Sequence, residues 1–293
     1  MTTRKKTQIT LPELSGDFIE RVANGAHHDP HSLLGIHPHE TGWVIRTLKP
    51  LAKTVTAILD GADPVTLDHL SHGVWQGFVD AKKVPDYRIV ATYEGDDAEV
   101  EWRIDDPYRH VPTLGELDLH LIREGRHEEL WRALGSNLHS VKGSLGESHG
   151  TRFAVWAPNA QAVRVVGEFN HWNGVAHSMR VMGASGVWEI FIPGVGVGSK
   201  YKYEILSKDG HWVTKIDPLA RQTELPPATA SIVTESDYKW GDKTWLTARA
   251  KRDALKSPMS IYELHAGSWR PGWNYRDLAK ELIPYVTQLG FTH

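Results

Sequence analysis

Tryptophan is the residue type in this sequence that most directly suggests binding chemistry. The chain of 293 residues contains 12 tryptophans, an unusually large number for its length. The indole ring is a large flat surface with one hydrogen-bond donor, and it suits both hydrophobic cores and stacking on sugar rings. Each tryptophan therefore has two possible roles, a structural one in a core and a binding one at the surface.

A second group of candidate residues is a set of histidines near the N-terminus. They are His27, His28, His31, His37 and His39. Clustered histidines can bind a metal, but Pro30 breaks the helical spacing that would bring them to one side of a helix. We therefore expect no metal site here, and the sequence indicates no other cofactor.

The composition excludes several classes of protein. A net charge of −3 gives no electrostatic reason to expect binding to nucleic acid or to an anionic membrane. Zero cysteines exclude disulfides and fit a reducing cytoplasm, which is the predicted location. The basic Arg4-Lys5-Lys6 is not followed by an apolar stretch, so no signal peptide is expected, and no apolar run is long enough to span a membrane.

Short β-strands separated by turn residues account for most of the chain, after one predicted helix with its apolar stripe at Leu14, Phe18 and Val22. The pattern predicts strands over 43–48, 55–59, 74–79, 87–93, 100–104, 151–157, 162–167, 187–192, 200–206 and 212–216. A helix interrupted at Gly125 is expected over 116–134. This arrangement is typical of β-sandwiches.

The two sets of strands match each other in residues as well as in order. The matched pairs are His31 with His139, Pro50 with Pro158, Trp75 with Trp188, Tyr87 with Tyr201, and Asp106 with Asp217. The offset stays between 108 and 114 positions (139 − 31 = 108; 201 − 87 = 114). Five matches at a nearly constant offset predict tandem copies of one sandwich.

The last 34 residues have a different pattern. Residues 261–264 alternate like a strand, Gly267 indicates a turn, and apolar residues then recur at helical spacing from an N-cap at Asn274 to a stop at Gly290. Residues 291–293 look like the beginning of a second strand. A strand, a helix and a parallel strand form the first unit of a parallel α/β domain.

The sequences SIYELHAGSW and YRDLAKELIPYVTQLGFTH resemble the first strand and helix of the catalytic barrel in glycogen branching enzymes of the α-amylase superfamily. HHDPHSLLGIHP is similar to their N-terminal module, and VRVVGEFNHWN with VWEIFIPGV to the glycogen-binding β-sandwich. The resemblance implies a mainly β fold of two immunoglobulin-like sandwiches followed by the start of a (β/α)8 barrel. The implied domains are residues 1–110, a helical connector 111–135, a glycogen-binding module 136–235, a linker 236–258 and the barrel segment 259–293.

The same resemblance implies the site residues. In the glycogen-binding module two tryptophans and a lysine bind helical glucan, and they match Trp172, Trp212 and Lys202; Thr229 lies near a further sugar-binding position. The implied partner is α-1,4-glucan, and the sequence carries no signal for an oligomeric state. Core packing remains the alternative role for both tryptophans, and it is the expected role for Trp188.

The resemblance implies a glycosyltransferase that forms α-1,6 branches in glycogen. Such retaining chemistry needs two carboxyl groups, and in amylase-type barrels these lie on middle strands, which the sequence does not reach. We therefore assign no catalytic residue, and Glu263 is interpreted as structural. The alternatives are a non-catalytic glycogen-binding protein, a debranching enzyme or a maltooligosyl-trehalose trehalohydrolase; the duplicated first module argues against the two enzymes.

The first copy of the sandwich is expected to act as a spacer. Alignment of the copies places Pro64 where the second copy has Trp172, and Arg88 where it has Lys202. Without the flat ring the first copy lacks a stacking platform, although Trp102 could supply one from a nearby position.

The chain as given is predicted to form no α-1,6 linkages, because one βα unit cannot close a barrel. Incubation of the pure chain with amylose, followed by debranching and analysis of chain length, tests this. New branch points would contradict the prediction.

Overall fold

The computed structural model describes residue 11, residues 13–95 and residues 99–293. The chain divides into two compact units between Glu235 and Ser236. In the described part of the first unit, the strands form four antiparallel sheets. Within the described ranges, every helix is too short or too polar to cross a membrane.

The strands fall into two consecutive sets. The first set is β1 (Gly35–His39), β2 (Gly42–Leu48), β3 (Thr54–Leu59), β4 (Val65–Thr66), β5 (Asp68–Ser71), β6 (Val74–Val79), β7 (Tyr87–Tyr93) and β8 (Val100–Ile104). The second set is β9 (Gly135–Gly143), β10 (Gly146–Trp156), β11 (Ala162–Gly167), β12 (Arg180–Val181), β13 (Val187–Pro193), β14 (Lys200–Leu206), β15 (Trp212–Lys215) and β16 (Ser231–Ile232).

The α-helices lie before, between and after the two sets of strands. They are α1 (Gly16–Ala23), α2 (Glu116–Arg123), α3 (Leu130–Ala133), α4 (Lys243–Ala250), α5 (Ala266–Trp269) and α6 (Tyr275–Gln288). α1 begins where Ser15 Oγ accepts a hydrogen bond from Phe18 N at 3.3 Å, and it buries Ile19 and Val22. The helix predicted over 116–134 is interrupted at Gly125 as expected, and it forms the two short helices α2 and α3. The chain turns after Glu124, where Gly125 has a φ of 67°.

Each set of strands forms a sandwich. In the first sandwich (β1–β8), the sheets β1-β2-β6-β5 and β4-β3-β7-β8 face each other across a core that includes Ile45, Trp75 and Ile89. In the second sandwich (β9–β16), the sheets β12-β13-β10-β9 and β11-β14-β15, with β16 beside β14, enclose Phe153 and Trp188. Trp188 is 2% exposed, so it is a core residue as predicted.

The duplication extends to the pairing of the strands. Ile58 of β3 pairs with Arg88 of β7, and Val166 of β11 pairs with Lys202 of β14. These pairs are related by the offsets found in the sequence (166 − 58 = 108; 202 − 88 = 114). The two copies therefore share one strand register, which fixes the face on which each side chain lies.

The two sandwiches share a continuous apolar core. Leu48, Val74 and Tyr108 of the first part of the chain pack in the same buried cluster as Phe153 and Trp188 of the second sandwich. The Tyr108 hydroxyl also accepts a hydrogen bond from Ser178 N at 3.0 Å. The two sandwiches are therefore packed together as one body.

Two arginines and two aspartates from the N-terminal part of the chain form an ion-pair network that reaches the second sandwich. We call this network the joint. Arg109 lies 2.8 Å from Asp86 and 2.5 Å from Asp105, and Arg88 lies 2.9 Å from Asp86. Ser148 of β10 donates to Asp105 and accepts a hydrogen bond from Arg109 at 2.6 Å. The backbone N–H of Leu145 also donates to Asp86, at 2.9 Å. The joint thus links the first sandwich to the β9–β10 hairpin.

The second unit differs in part from the prediction. Residues 261–264 do not form an assigned strand, and α5 takes the place of the predicted turn at Gly267. Tyr262 N nevertheless donates to His293 O at 2.8 Å, and His293 N donates to Ser260 O at 3.0 Å. Two bonds of this kind on either side of Ile261 have the pattern of a parallel pair. α6 begins at the predicted cap, since Asn274 Oδ1 accepts from Arg276 N and Asp277 N.

We predict that Asp105→Asn destabilises the protein by about 2 kcal/mol at neutral pH, since the charged acceptor of Arg109 is lost. Burial alone would raise the pKa of Asp105, but His110 at 3.4 Å and hydrogen bonds from Arg109 and Ser148 hold it well below its ordinary range. A lowered carboxyl pKa contributes stability above the ordinary value, and that contribution is lost as the pH falls below about 4. Urea unfolding from about pH 7 to about pH 3 should show the difference between the proteins shrinking.

The matched control is Glu101→Gln, which changes an exposed carboxylate in the neighbouring strand β8. This variant should unfold like the wild type throughout the range. A destabilisation by Asp105→Asn that does not change with pH would contradict the assignment of the charge to the joint.

Candidate functional site

The turn that follows β11 presents Trp172 to solvent. β11 ends at Gly167, and a single 3-10 turn, Glu168–Asn170, leads to His171 and Trp172. Both residues have a left-handed backbone conformation, with φ of 52° and 59°. The backbone N–H of Trp172 donates a hydrogen bond to Gly167 O at 2.9 Å. Left-handed backbone is rare for residues other than glycine, so the surrounding contacts must hold this turn in place. Trp172 is 43% exposed, which excludes core packing as its role.

Asn170 is the residue that holds the Trp172 turn together. Its Oδ1 accepts a hydrogen bond from Gly167 N at 2.9 Å, and its Nδ2 donates to Val165 O and to His177 Nδ1, each at 2.9 Å. Burial, together with the charge of Lys49, lowers the pKa of His177 to about 3. The ring is therefore neutral at physiological pH, so Nδ1 is free to accept the bond from Asn170.

Lys202 and Thr229 meet beside this turn. Lys202 lies opposite Val166, one residue from the end of β11, and its Nζ donates to Thr229 Oγ1 at 2.8 Å. The two residues come from distant parts of the chain, and they are brought together because β16 pairs with β14 at Tyr201 and Ser231. The structure thus joins two of the four residues implied by the resemblance.

Trp212 lies on the same face of the sheet as Lys202. Lys202, Glu204 and Leu206 alternate along β14, and Trp212 of β15 stands directly opposite Leu206. The guanidinium of Arg164 lies 4.0 Å from the centre of the indole ring, and Arg164 Nε donates to Glu204 at 2.6 Å. A cation at that distance over a ring is attracted to it and holds it in place.

Arg164 also connects Trp212 to the Trp172 turn. A side chain at Gly174, two residues after Trp172, would come within 2.7 Å of Arg164 Cγ, so the turn lies directly against the arginine. We call the surface formed by Trp172, Lys202, Trp212, Thr229 and Arg164 the aromatic face. Sequence reasoning missed Arg164, although its place in the alternation of β11 was the available signal.

Among the described residues of the first sandwich, the position that corresponds to Trp212 has no aromatic side chain. Trp212 pairs with Leu206, and the same register in the first copy pairs Glu101 with Thr92 (212 − 101 = 111; 206 − 92 = 114). Trp102 pairs with the buried Ala91, so it lies on the opposite face and cannot take the place of Trp212.

Arg88, the counterpart of Lys202, is occupied in the joint. Its guanidinium contacts Asp86 at 2.9 Å and Ser148 at 3.3 Å. The position of Lys202 is thus open in the second sandwich, whereas the β9–β10 hairpin covers the equivalent position of Arg88 in the first.

The histidines near the N-terminus have structural contacts. His27 Nδ1 accepts a hydrogen bond from Asp29 N at 3.0 Å, the ring of His31 packs edge-on against Tyr108, and His37 Nε2 lies 3.1 Å from Leu34 O. Among the described residues, no group of histidines and carboxylates is arranged to hold a metal ion. Glu263 lies in the second unit, in the irregular segment before α5.

Comparison with known families assigns the second sandwich. Residues 133–220 match the carbohydrate-binding module 48 family, described as the isoamylase N-terminal domain. The protein is therefore one that carries a carbohydrate-binding module, and the aromatic face lies on that module except for Thr229, which follows the matched residues. Residues 15–108 match the N-terminal domain of the α-1,4-glucan branching enzyme GlgB.

Individual relatives match nearly the whole chain. The chain is 55% identical over 275 residues to the 1,4-alpha-glucan branching enzyme GlgB of Thermobifida fusca, covering 94% of this chain and 36% of the relative. It is 51% identical to the GlgB of Leifsonia xyli and 53% identical to GlgB 1 of Streptomyces coelicolor, covering 40% and 34% of their lengths. The chain is therefore similar to the N-terminal part of these GlgB branching enzymes, and it spans 34% to 40% of the length of the three relatives.

Among solved structures, a putative alpha amylase from Salmonella typhimurium aligns with 55% of this chain and 24% of its own length. The sequence identity is 24% and the TM-score is 0.39.

His177 predicts a dependence of stability on pH. The unfolded chain carries a histidine with an ordinary pKa of about 6.5, so between about pH 6.5 and pH 3 it binds a proton more readily than the folded chain. The free energy of unfolding should therefore fall as the pH is lowered from about 6.5. His177→Asn keeps an acceptor for Asn170 and removes the titration, so its stability should fall by about 1–2 kcal/mol less than that of the wild type between about pH 7 and pH 5.

Urea unfolding at each pH measures this difference. His149→Gln, a change at an exposed histidine of β10, should follow the wild type and serves as the control. Equal losses of stability in the wild type and His177→Asn would show that His177 does not remain neutral in the folded protein.

Proposed function

We propose that this chain binds α-1,4-glucan on its aromatic face, as the N-terminal part of a 1,4-α-glucan branching enzyme. The observation that carries the proposal is the arrangement of the surface itself. Trp172 is exposed on a turn held by Asn170, and Lys202 lies 2.8 Å from Thr229 beside it. These residues come from three separate segments and meet at one end of a single sheet.

The chemistry of the aromatic face suits a glucan. Sugar rings present apolar C–H surfaces, so an indole ring can cover them without requiring one particular pattern of hydrogen bonds. The Lys202 ammonium and the Thr229 hydroxyl can donate to sugar hydroxyls at the edge of the ring. Arg164 covers one side of Trp212 at 4.0 Å, so the opposite side of that indole is the one that would face the sugar.

Branching requires cleavage of an α-1,4 bond and transfer of the freed segment to a 6-hydroxyl. A retaining mechanism achieves this with one carboxylate as nucleophile and a second carboxyl group as acid and then base. The chain spans 34% to 40% of the branching enzymes that it resembles. In the proposed enzyme this part holds the polymer, and residues outside the chain perform the reaction in the cytoplasm.

The proposed division of labour follows the domains expected from the sequence. Residues 136–235 bind glucan, residues 1–110 act as a structural module, residues 111–135 connect them, and residues 236–258 lead to a barrel that begins near residue 259. The structural role of the first module is supported by Arg88, since the joint already uses the position that corresponds to the glucan-binding Lys202.

Trp172→Ala and Trp212→Ala should each weaken the binding of maltoheptaose by at least about tenfold. Central aromatic residues commonly contribute about 2 kcal/mol or more, and about 1.4 kcal/mol corresponds to tenfold in affinity. Lys202→Ala should cost less, because its ammonium group is exposed to solvent. Isothermal titration calorimetry measures each affinity.

Trp102→Ala is the matched control, since that tryptophan is 59% exposed but belongs to the first sandwich. It should bind maltoheptaose like the wild type. Removal of a core tryptophan costs about 3–5 kcal/mol, so thermal unfolding separates a loss of binding from a loss of folding. Unchanged affinity, or a sharp fall in the melting temperature of Trp172→Ala, would contradict the proposed site.

A further inference from the structure

Lys200 lies between the two segments that carry the aromatic face. It is the first residue of β14, two positions before Lys202, and both side chains lie on the same face of the strand. The Lys200 Nζ atom is 3.2 Å from Glu168 Oε1 and 3.1 Å from Glu224 Oε1. One ammonium group therefore contacts two carboxylates that belong to different loops.

Each carboxylate begins a segment that ends at a residue of the aromatic face. Glu168 opens the 3-10 turn that leads to Trp172. Glu224 closes the loop before β16, because its backbone N–H donates to Ala230 O at 2.9 Å and its side chain accepts from Ala230 N at 3.0 Å. Thr229, the partner of Lys202, directly precedes Ala230. The pair of contacts made by Lys200 thus joins the Trp172 turn to the Thr229 loop.

The two ion pairs of Lys200 contribute little to the stability of the fold. The side chains of Lys200, Glu168 and Glu224 are 38%, 54% and 20% exposed, and ion pairs that water reaches contribute little to stability. Hydrogen bonds to Glu224 and Glu168 raise the pKa of Lys200, so its ammonium form persists through the physiological range. The two ion pairs instead restrict the distance between the Trp172 turn and the Thr229 loop.

We propose that Lys200 is a positioning residue for glucan binding, which holds the Trp172 turn and the Thr229 loop at the separation that the ligand requires. This inference rests on the proposed function of the aromatic face. Fixing two loops before the ligand arrives reduces the entropy that binding must remove. Lys200 contributes to affinity in this way without contacting the sugar, because its ammonium group contacts the carboxylates of Glu168 and Glu224.

Positioning of the loops by ion pairs predicts a dependence of binding on salt that direct contact between Lys200 and sugar does not. Maltoheptaose is uncharged, so its stacking on tryptophan responds little to salt. Ion pairs at the surface are screened by salt, with a Debye length of about 10 Å at 0.1 M and about 3 Å at 1 M. If Lys200 positions the loops, the binding of this neutral ligand should weaken as the ionic strength rises.

The experiment uses the whole chain with the variants Lys200→Met and Lys200→Arg, and maltoheptaose as the probe in isothermal titration calorimetry. Lys200→Met should weaken binding by about three- to fivefold at low salt, the scale expected from two exposed ion pairs, with a less favourable binding entropy. Lys200→Arg keeps the charge and should restore most of the affinity. Lys208→Met, at an exposed lysine of the same sandwich, is the control and should bind like the wild type.

The salt titration gives the decisive comparison. Between about 0.02 M and 0.5 M NaCl, the affinity of the wild type for maltoheptaose should fall to about that of Lys200→Met at low salt. The affinity of Lys200→Met itself should change little over this range. Wild-type affinity in Lys200→Met at low salt would overturn the proposal. A weakened Lys200→Met beside a wild type that is insensitive to salt would overturn it too, because Lys200 would then act by touching sugar.

Failure of the proposed function would look different. If the wild type does not bind maltoheptaose, or if Trp172→Ala binds it unchanged, the aromatic face is not the glucan site and Lys200 has no such role. If Trp172→Ala loses affinity and Lys200→Met does not, only the role of Lys200 fails. The melting temperature of Lys200→Met should stay close to that of the wild type, which separates positioning from unfolding.

Discussion

The ion-pair network between Asp86, Asp105, Arg88 and Arg109 is the interaction on which the arrangement of the first unit depends. It contacts Ser148 and Leu145 of the β9–β10 hairpin, and beside it Leu48, Val74 and Tyr108 continue the core of the second sandwich. Buried charges are tolerated only when each has partners, and here every carboxylate contacts a guanidinium group. The network therefore works only with the two sandwiches in one relative position.

The aromatic face depends indirectly on the packing of the second sandwich against the N-terminal part of the chain. Arg164, which lies over Trp212, donates to the backbone oxygen of Asn24 at 3.3 Å, just after α1. Met179 and Ser178, which follow the Trp172 turn, contact Val163 and Tyr108. The segment around Trp172 is thus fixed on one side by its own sandwich and on the other by residues from the N-terminal part of the chain.

Local patterns predicted most of the strands, because alternation of apolar residues in Val74–Val79 or Lys200–Leu206 already reflects which side of a sheet is buried. The offsets between the copies predicted their shared register, and the resemblance supplied Trp172, Lys202, Trp212 and Thr229. Lys200 and Arg164 were missed because their partners are distant in sequence. The alternation at 261–264 predicted a strand, yet only the pairing around Ile261 with His293 forms there.

The common register of the two copies limits what protein engineering could do with them. Since Arg88 and Lys202 occupy equivalent places, a lysine or a tryptophan platform could be transplanted from the second sandwich to the first position by position. The recipient face, however, is the one that meets the β9–β10 hairpin through Ser148. An exposed surface and a firm junction would compete for one set of positions. In the described residues, the first copy uses these positions for the junction with its neighbour and the second copy leaves them open.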